Sequence, residues 1–364
     1  MTNRYYPADA SGERVSETVR TRPADTSGER VYETRPRARV AAVQMVSGPE
    51  VGPNLREAER LIEETAARGA ELVALPEYFP IMSAHAYELR DDRGVLIEWS
   101  TRPSRIVVLS PHLTEIAFAA GAGAQVAAVV RYSDYPPKAQ RVPRVGDATR
   151  IDVERVLAIK PDLILGWQSG NPSGDLRRLE HLGFRVFVTE PRRLADIASV
   201  IRRVGMLAHT QAAAEAAAGT FESALDALRN RYSARAPVRV FYEIWQRPLL
   251  TVNGEHIISD VIALCGGRNV FADAPVLTPA VSLEAVLSAR PELVLGGGSA
   301  MGPGDLASEW RRLRPAALHD VPVRFVPPDL IQRQTPRMAE GARIICEHID
   351  AVRLKTLPGE RAGR

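Results

Sequence analysis

The chain has 364 residues, 45% of them hydrophobic and 25% charged, a balance that excludes wholesale disorder and suits two or three domains. Its 47 Lys and Arg face 44 Asp and Glu for a net charge of +3, too even to mark a nucleic-acid binder. No stretch reaches the roughly 18 to 20 apolar residues that span a bilayer, and no signal peptide is visible near the amino terminus.

Residues 1–37 carry a polar repeat: Pro7 to Val15 returns, with one change, as Pro23 to Val31. Such a segment buries too little surface to offset its ordering entropy, so a disordered tail is expected. From Arg39 the texture changes. Val40 to Val43 reads as a strand, Asn54 to Arg68 as an amphipathic helix, and Leu72 to Leu75 as a second strand ending at Pro76-Glu77. This βαβ fragment, 38–93, is too short for a self-sufficient sheet.

Two later segments resemble each other. Asp152 to Leu157 leads into Lys160-Pro161-Asp162-Leu163-Ile164-Leu165-Gly166, and Ser282 to Leu287 leads into Arg290-Pro291-Glu292-Leu293-Val294-Leu295-Gly296. Each copy has an N-cap (Asp152, Ser282), an acid in the first turn (Glu154, Glu284), a Pro ending the helix and an apolar strand closed by Gly. Two α/β lobes of like architecture are predicted, over 103–195 and 236–356. Between them, within 196–235, the Ala-rich run His209 to Arg231 lacks Pro and predicts a long connecting helix.

The strings Arg105 to Gly121, Arg131-Tyr132-Ser133-Asp134-Tyr135-Pro136-Pro137, Lys160 to Ile164 and Cys265 to Phe271 resemble the vitamin B12-binding proteins of cobalamin ABC transporters, from Pro103 to the C-terminal helix. The resemblance implies two Rossmann-like lobes joined by one rigid helix, the class III substrate-binding architecture. It also implies a periplasmic location, cobalamin as transported ligand in a cleft, and delivery to a permease dimer at the membrane. No enzymatic activity follows from it.

A corrin ring needs flat apolar surfaces and a few polar groups for its amide side chains. By resemblance, Tyr132, His112 and Leu250 line the cleft, and Asp329 and Arg333 hydrogen-bond corrin amides. Trp167 and Trp245 follow strands at the carboxyl ends of parallel sheets, where α/β proteins bind ligands; each either stacks on ligand or supports the cleft from beneath. Asp329 and Arg333 could equally form a surface salt bridge across one turn. The family carries aromatic residues where this chain has Ala148, Thr278 and Leu250. Glu154 and Glu284 match the pair that docks on permease arginines, though each also complements its own helix dipole. Cys265 and Cys346 occupy the positions of the family's disulfide, which persists outside the cytosol.

The segment from Arg39 to Phe79 resembles the start of a carbon–nitrogen hydrolase of the nitrilase type. Such enzymes use a Glu base, a Lys and a Cys nucleophile. Glu77 matches the glutamate, but no lysine precedes Lys138 and no cysteine precedes Cys265, so an inactive remnant is expected. Competing ligands on the lobes are a ferric siderophore or haem, which Arg333 could serve. Bare metal and dinucleotides fit worse: the seven histidines are scattered, and Gly296-Gly297-Gly298-Ser299 does not complete the dinucleotide fingerprint.

Overall fold

A computed structural model of the chain describes residues 40–42, 51–75, 87–297, 303–313 and 320–356. The repeat-bearing tail, Glu77, His85, His319 and Gly298 to Gly302 lie outside the described residues. The chain divides into two compact units, Met1–Glu88 with Glu98–Thr101, and Leu89–Ile97 with Arg102–Arg364.

In the first unit β1 (Val40–Ala42) pairs in parallel with β2 (Leu72–Ala74), Val40 opposite Leu72. The crossover is α1 (Val51–Ala67), the predicted βαβ arrangement. On α1, Arg60 pairs with Glu57 and Glu64 at 2.8 and 2.9 Å, solvent-exposed contacts between neighbours one turn apart that water and salt screen. Next in the chain come β3 (Tyr87–Arg90) and β4 (Leu96–Trp99), flanking a turn at Asp91–Gly94, and of this stretch Leu89–Ile97 belongs to the second unit.

The second unit opens with β5 (Ile106–Val108), α2 (Pro111–Ala119) and β6 (Val126–Val129). A two-strand pair, β7 (Gly146–Asp147) and β8 (Arg150–Ile151), leads to α3 (Val153–Ile159), β9 (Leu163–Trp167), α4 (Ser173–His181) and β10 (Val186–Thr189). The four long strands form a parallel sheet in the order β10-β9-β5-β6. Their side chains are buried on both faces, which is why they read as unbroken apolar runs rather than alternating ones. The core gathers Val107, Leu109, Val130, Ile164, Leu179 and Val188.

The edge strand β10 is covered by the turn at Asp91. Asp92 N donates to Val188 O at 3.0 Å, and the buried Asp91 carboxylate accepts from Val188 N at 3.3 Å. Arg93 reaches Glu180 at 2.7 Å and Arg203 reaches Asp92 at 2.6 Å. An open sheet edge is thereby satisfied by a polar turn, and Leu89–Ile97 group with the lobes rather than with the amino-terminal fragment.

The long helix predicted from His209 to Arg231 is α6 (Gln211–Tyr232), and a further helix, α5 (Leu194–Ala208), precedes it within the connection. His209 takes a left-handed conformation, φ 54°, and Thr210 N donates back to Gly205 O at 2.7 Å, closing α5. Gly205 also lets the two helices meet: a Cβ there would lie 2.2 Å from that of Ala214. Helix α6 packs on α5 and α2 of the first lobe and on α7 (Ile257–Leu264) and α11 (Met338–Thr356) of the second.

The second lobe repeats the pattern with β11 (Val238–Glu243), β12 (Gly267–Asn269), α8 (Leu283–Ala289), β13 (Leu293–Gly296), α9 (Pro303–Leu313), β14 (Val323–Phe325) and α10 (Pro328–Ile331). Its parallel sheet runs β12-β11-β13-β14, so in both lobes the second, first, third and fourth strands lie side by side. The repeat extends to the caps. Lys160 and Arg290, at φ 51° and 47°, end α3 and α8. Asp162 and Glu292 then accept from the backbone at the start of the neighbouring strand, Arg105 N at 2.9 Å and Arg239 N at 2.8 Å. A disulfide joins Cys265, after α7, to Cys346 in α11.

Candidate functional site

In a parallel sheet whose connections turn opposite ways on either side of one strand, a crevice opens at the carboxyl ends of the strands flanking the reversal. In the first lobe that point lies between β5 and β9. The residues delivered there are Ser110 to His112 and Trp167 to Gly170. In the second lobe it lies between β11 and β13, and delivers Glu243 to Trp245 and Gly297.

His112 sits in the first turn of α2, which Ser110 caps by accepting from Leu113 N at 3.3 Å. Its ring meets the Trp167 indole edge to face, centroids 5.0 Å apart. It is buried, and its Nε2 has no hydrogen-bond partner. Burial, aided by the positive charge of Arg333, pushes its pKa down to about 3, so the ring is neutral at any physiological pH. Trp167 is positioned by Asn171, whose Oδ1 accepts from Trp167 N at 2.7 Å while its Nδ2 donates to Leu109 O and Ala148 O at 2.8 and 2.9 Å. One amide side chain thus ties three loops together. Gly170 is required beside the indole, because a Cβ there would lie 1.8 Å from Trp167 Cε3.

Tyr132 stands in the loop after β6 with φ 65° and is 67% exposed. The loop is anchored through Ser133, whose Oγ lies 3.0 Å from Thr114 Oγ1 on α2. Trp245, half exposed, donates its Nε1 to Arg247 O at 3.0 Å and forms an antiparallel bridge with Leu250, which in turn bridges Ala280. This pair stands at the β11 end of the second lobe.

From the sequence, Asp329 and Arg333 are either ligand groups or a surface ion pair. They do pair, at 3.1 Å, but Arg333 is not a plain surface residue. Its guanidinium crosses to the first lobe, 2.6 Å from Asp134 Oδ1 and 3.4 Å from Glu115 Oε1. Arg337 joins it, holding both oxygens of Glu115 at 2.8 and 2.6 Å, with its guanidinium 4.1 Å above the Tyr135 ring. Glu115 is buried, with only 2% of its side chain exposed. Burial would raise the Asp134 carboxyl, but the hydrogen bond and charge of Arg333 outweigh it and hold the group below its ordinary range.

Glu115, Asp134, Tyr135 and Arg337 were not singled out from the sequence. The signal for Glu115 is a lone charged residue in the mostly apolar stretch from Leu113 to Ala120. Nor does the sequence mark Tyr242 and Gln332 in the second lobe, whose Oη and Nε2 are buried without well-formed hydrogen bonds. Both crowd Gly297, where a Cβ would lie 2.7 Å from Gln332 Nε2 and 3.1 Å from Tyr242 Oη.

Glu154 and Glu284 occupy equivalent first-turn positions on α3 and α8, and both are exposed. The Glu284 carboxyl is held below its ordinary range by its own backbone N–H and by Ser282. Among the described residues no group of three His, Cys, Asp or Glu could hold a metal ion, and no helix is long and apolar enough to cross a membrane.

The profile of the periplasmic binding protein family matches residues 106–313. That of carbon–nitrogen hydrolases matches residues 39–132, a stretch whose last part, β5 to β6, is built into the first lobe's sheet. The vitamin B12-binding protein of Vibrio cholerae is 36% identical over 245 residues, 67% of this chain and 88% of that protein. Its Yersinia pestis counterpart is 36% identical over 262 residues, 71% of this chain and 92% of that protein. Among solved structures, the periplasmic vitamin B12 binding protein BtuF of Vibrio cholerae superposes with a TM-score of 0.63 and 35% identity, covering 69% of this chain and 98% of that one. The periplasmic haem-binding protein RhuT of Roseiflexus shares the fold at a TM-score of 0.59 and 23% identity, covering 68% and 99% of the two chains.

Proposed function

Because the chain belongs to the periplasmic binding protein family, we propose that it captures cobalamin, vitamin B12 or a related corrinoid, between its two lobes and delivers it unchanged to an ABC permease. The observation that carries this reading is the convergence of His112, Trp167, Arg333 and Asp329 at one place, with Tyr132 on the adjoining loop. Flat apolar rings beside a few fixed polar groups are what an amide-fringed macrocycle requires. Trp245 and Leu250 supply the facing apolar surface from the second lobe.

Glu154 and Glu284 are the docking acids of this proposal. They project from equivalent helices of two like lobes, so a pseudo-twofold donor would meet a twofold permease dimer. The disulfide supports an oxidising compartment, the periplasm, as the place of work. The segmental assignment follows the same lines: 1–37 as tail, 38–93 as hydrolase remnant, 103–195 and 236–356 as lobes, 196–235 as connection. No carbon–nitrogen hydrolase activity is expected, since both cysteines of the chain are held in the disulfide and no thiol remains as nucleophile. Haem or a ferric siderophore is the second reading, supported by the shared fold of the haem-binding neighbour.

Titration of the full chain with cyanocobalamin, a ferric siderophore and haem, followed by tryptophan fluorescence, tests the reading. A micromolar or tighter response to cyanocobalamin supports it; saturable siderophore or haem binding without a cobalamin response rejects it. Charge reversal at Glu154 together with Glu284 should abolish permease-dependent uptake while leaving ligand affinity intact.

A further inference from the structure

The ion-pair cluster between the lobes has an unequal composition. Three carboxylates, Glu115, Asp134 and Asp329, surround two guanidiniums, Arg333 and Arg337. The cluster therefore carries one net negative charge, and His112 beside it is neutral. Both arginines are already engaged: Arg337 grips Glu115 with two hydrogen bonds, and Arg333 contacts all three acids within 3.4 Å. The solvent-facing members are two of the acids, with half of the Asp134 side chain and 56% of that of Asp329 exposed, against 19% and 20% for the arginines, while Glu115 is buried.

We propose that Glu115 and Asp134 are specificity-determining residues, which saturate the arginines so that the site accepts a neutral, amide-bearing macrocycle and rejects an anionic one. The inference rests on the corrinoid reading above and deepens it. An ionised carboxylate only accepts hydrogen bonds, whereas a primary carboxamide also donates two. A ligand fringed with amides can donate to the exposed oxygens of Asp134 and Asp329. A ligand fringed with carboxylates, such as haem with its propionates, meets acceptors with acceptors. To win an arginine it must strip a partner from Asp134 or from the buried Glu115, and an unpaired buried carboxylate is strongly disfavoured.

The test compares cyanocobalamin with cobyrinic acid, which keeps the corrin ring but ends its side chains in carboxylates, and uses haem as a second anionic probe. The native full-length chain should bind cyanocobalamin at least tenfold more tightly than cobyrinic acid. Asp134→Asn, which frees one hydrogen-bonding edge of Arg333, should shrink that ratio at least tenfold and strengthen haem binding, and Asp134→Glu should restore the discrimination. A merely structural role for Asp134 would weaken all probes together and leave the ratio unchanged, which would overturn the inference. Equal affinity of the native chain for cyanocobalamin and cobyrinic acid would overturn it without any variant. Failure of cyanocobalamin to bind the native chain would end the corrinoid reading and this inference with it.

Discussion

At Glu115 a carboxylate with 2% of its side chain exposed depends on Arg337 for two hydrogen bonds and on Arg333 for a looser contact at 3.4 Å. Arg337→Ala would leave that charge in a site that water scarcely reaches, and breaking such a pair from one side costs about 3 to 5 kcal/mol. The lower end is expected here, because the Arg337 side chain is itself one-fifth exposed; urea unfolding measures it. Arg343→Ala serves as the contrast, since its pair with Glu347 is half exposed on both sides and should change stability by less than about 1 kcal/mol. Two histidines give a second expectation. Burial lowers His112 to about 3 and His256 to about 4, whereas an unfolded histidine takes up its proton near pH ~6.5. Below that pH the unfolded chain binds more protons than the folded one. Stability is therefore complete above about pH 6.5 and declines as the pH falls toward each folded value, by up to about 1.4 kcal/mol per pH unit for each histidine. His256 caps α7 by accepting from Ile258 N at 3.2 Å, and Asn can do the same without titrating. His256→Asn should make the decline between pH 6.5 and about 4 shallower; parallel stability curves would contradict the assignment.

At the scale of elements, the packing of Gly170 under the Trp167 indole makes a sharp contrast with Gly174, where a Cβ would meet nothing within 4 Å. Gly170→Ala should push the indole off His112, shift its fluorescence and weaken cyanocobalamin binding several-fold. Gly174→Ala, within α4, should leave binding unchanged and add at most about 1 kcal/mol of stability through the unfolded chain. The elements themselves were legible where the residues carry local signals. Asp152 and Ser282 cap α3 and α8 through their side chains, and the apolar runs from Leu163 and Leu293 are strands at the expected places. The run from His209 to Arg231 is α6, whereas α5 before it was not legible as a separate helix, since its end is set by a left-handed histidine rather than a glycine or proline. Nor did anything in the run Tyr87 to Trp99 announce that the Asp91 turn would seat itself on the edge of β10, since an edge exists only once a sheet has formed.

Across the whole molecule, the disulfide closes a loop between positions 81 residues apart, and constraining the unfolded chain in this way stabilises the native state by roughly 4 to 5 kcal/mol in the chain-entropy account. The double variant Cys265→Ser with Cys346→Ser should lose about that much in urea unfolding, and reductant should then have no further effect on it. The duplication of the lobes was determined by the sequence alone, through recurring caps, acids and apolar runs that act over one or two turns of chain. It also determined which residues stand at strand ends, Trp167 and Trp245 among them. The tertiary structure alone decided that Glu115 would meet Arg337 across 222 positions, and that Arg333 would be spent on Asp134 as well as Asp329. Helix and strand signals are carried by near neighbours, whereas an ion pair is indifferent to separation along the chain. A charged residue does not name its partner until folding has brought the two lobes together.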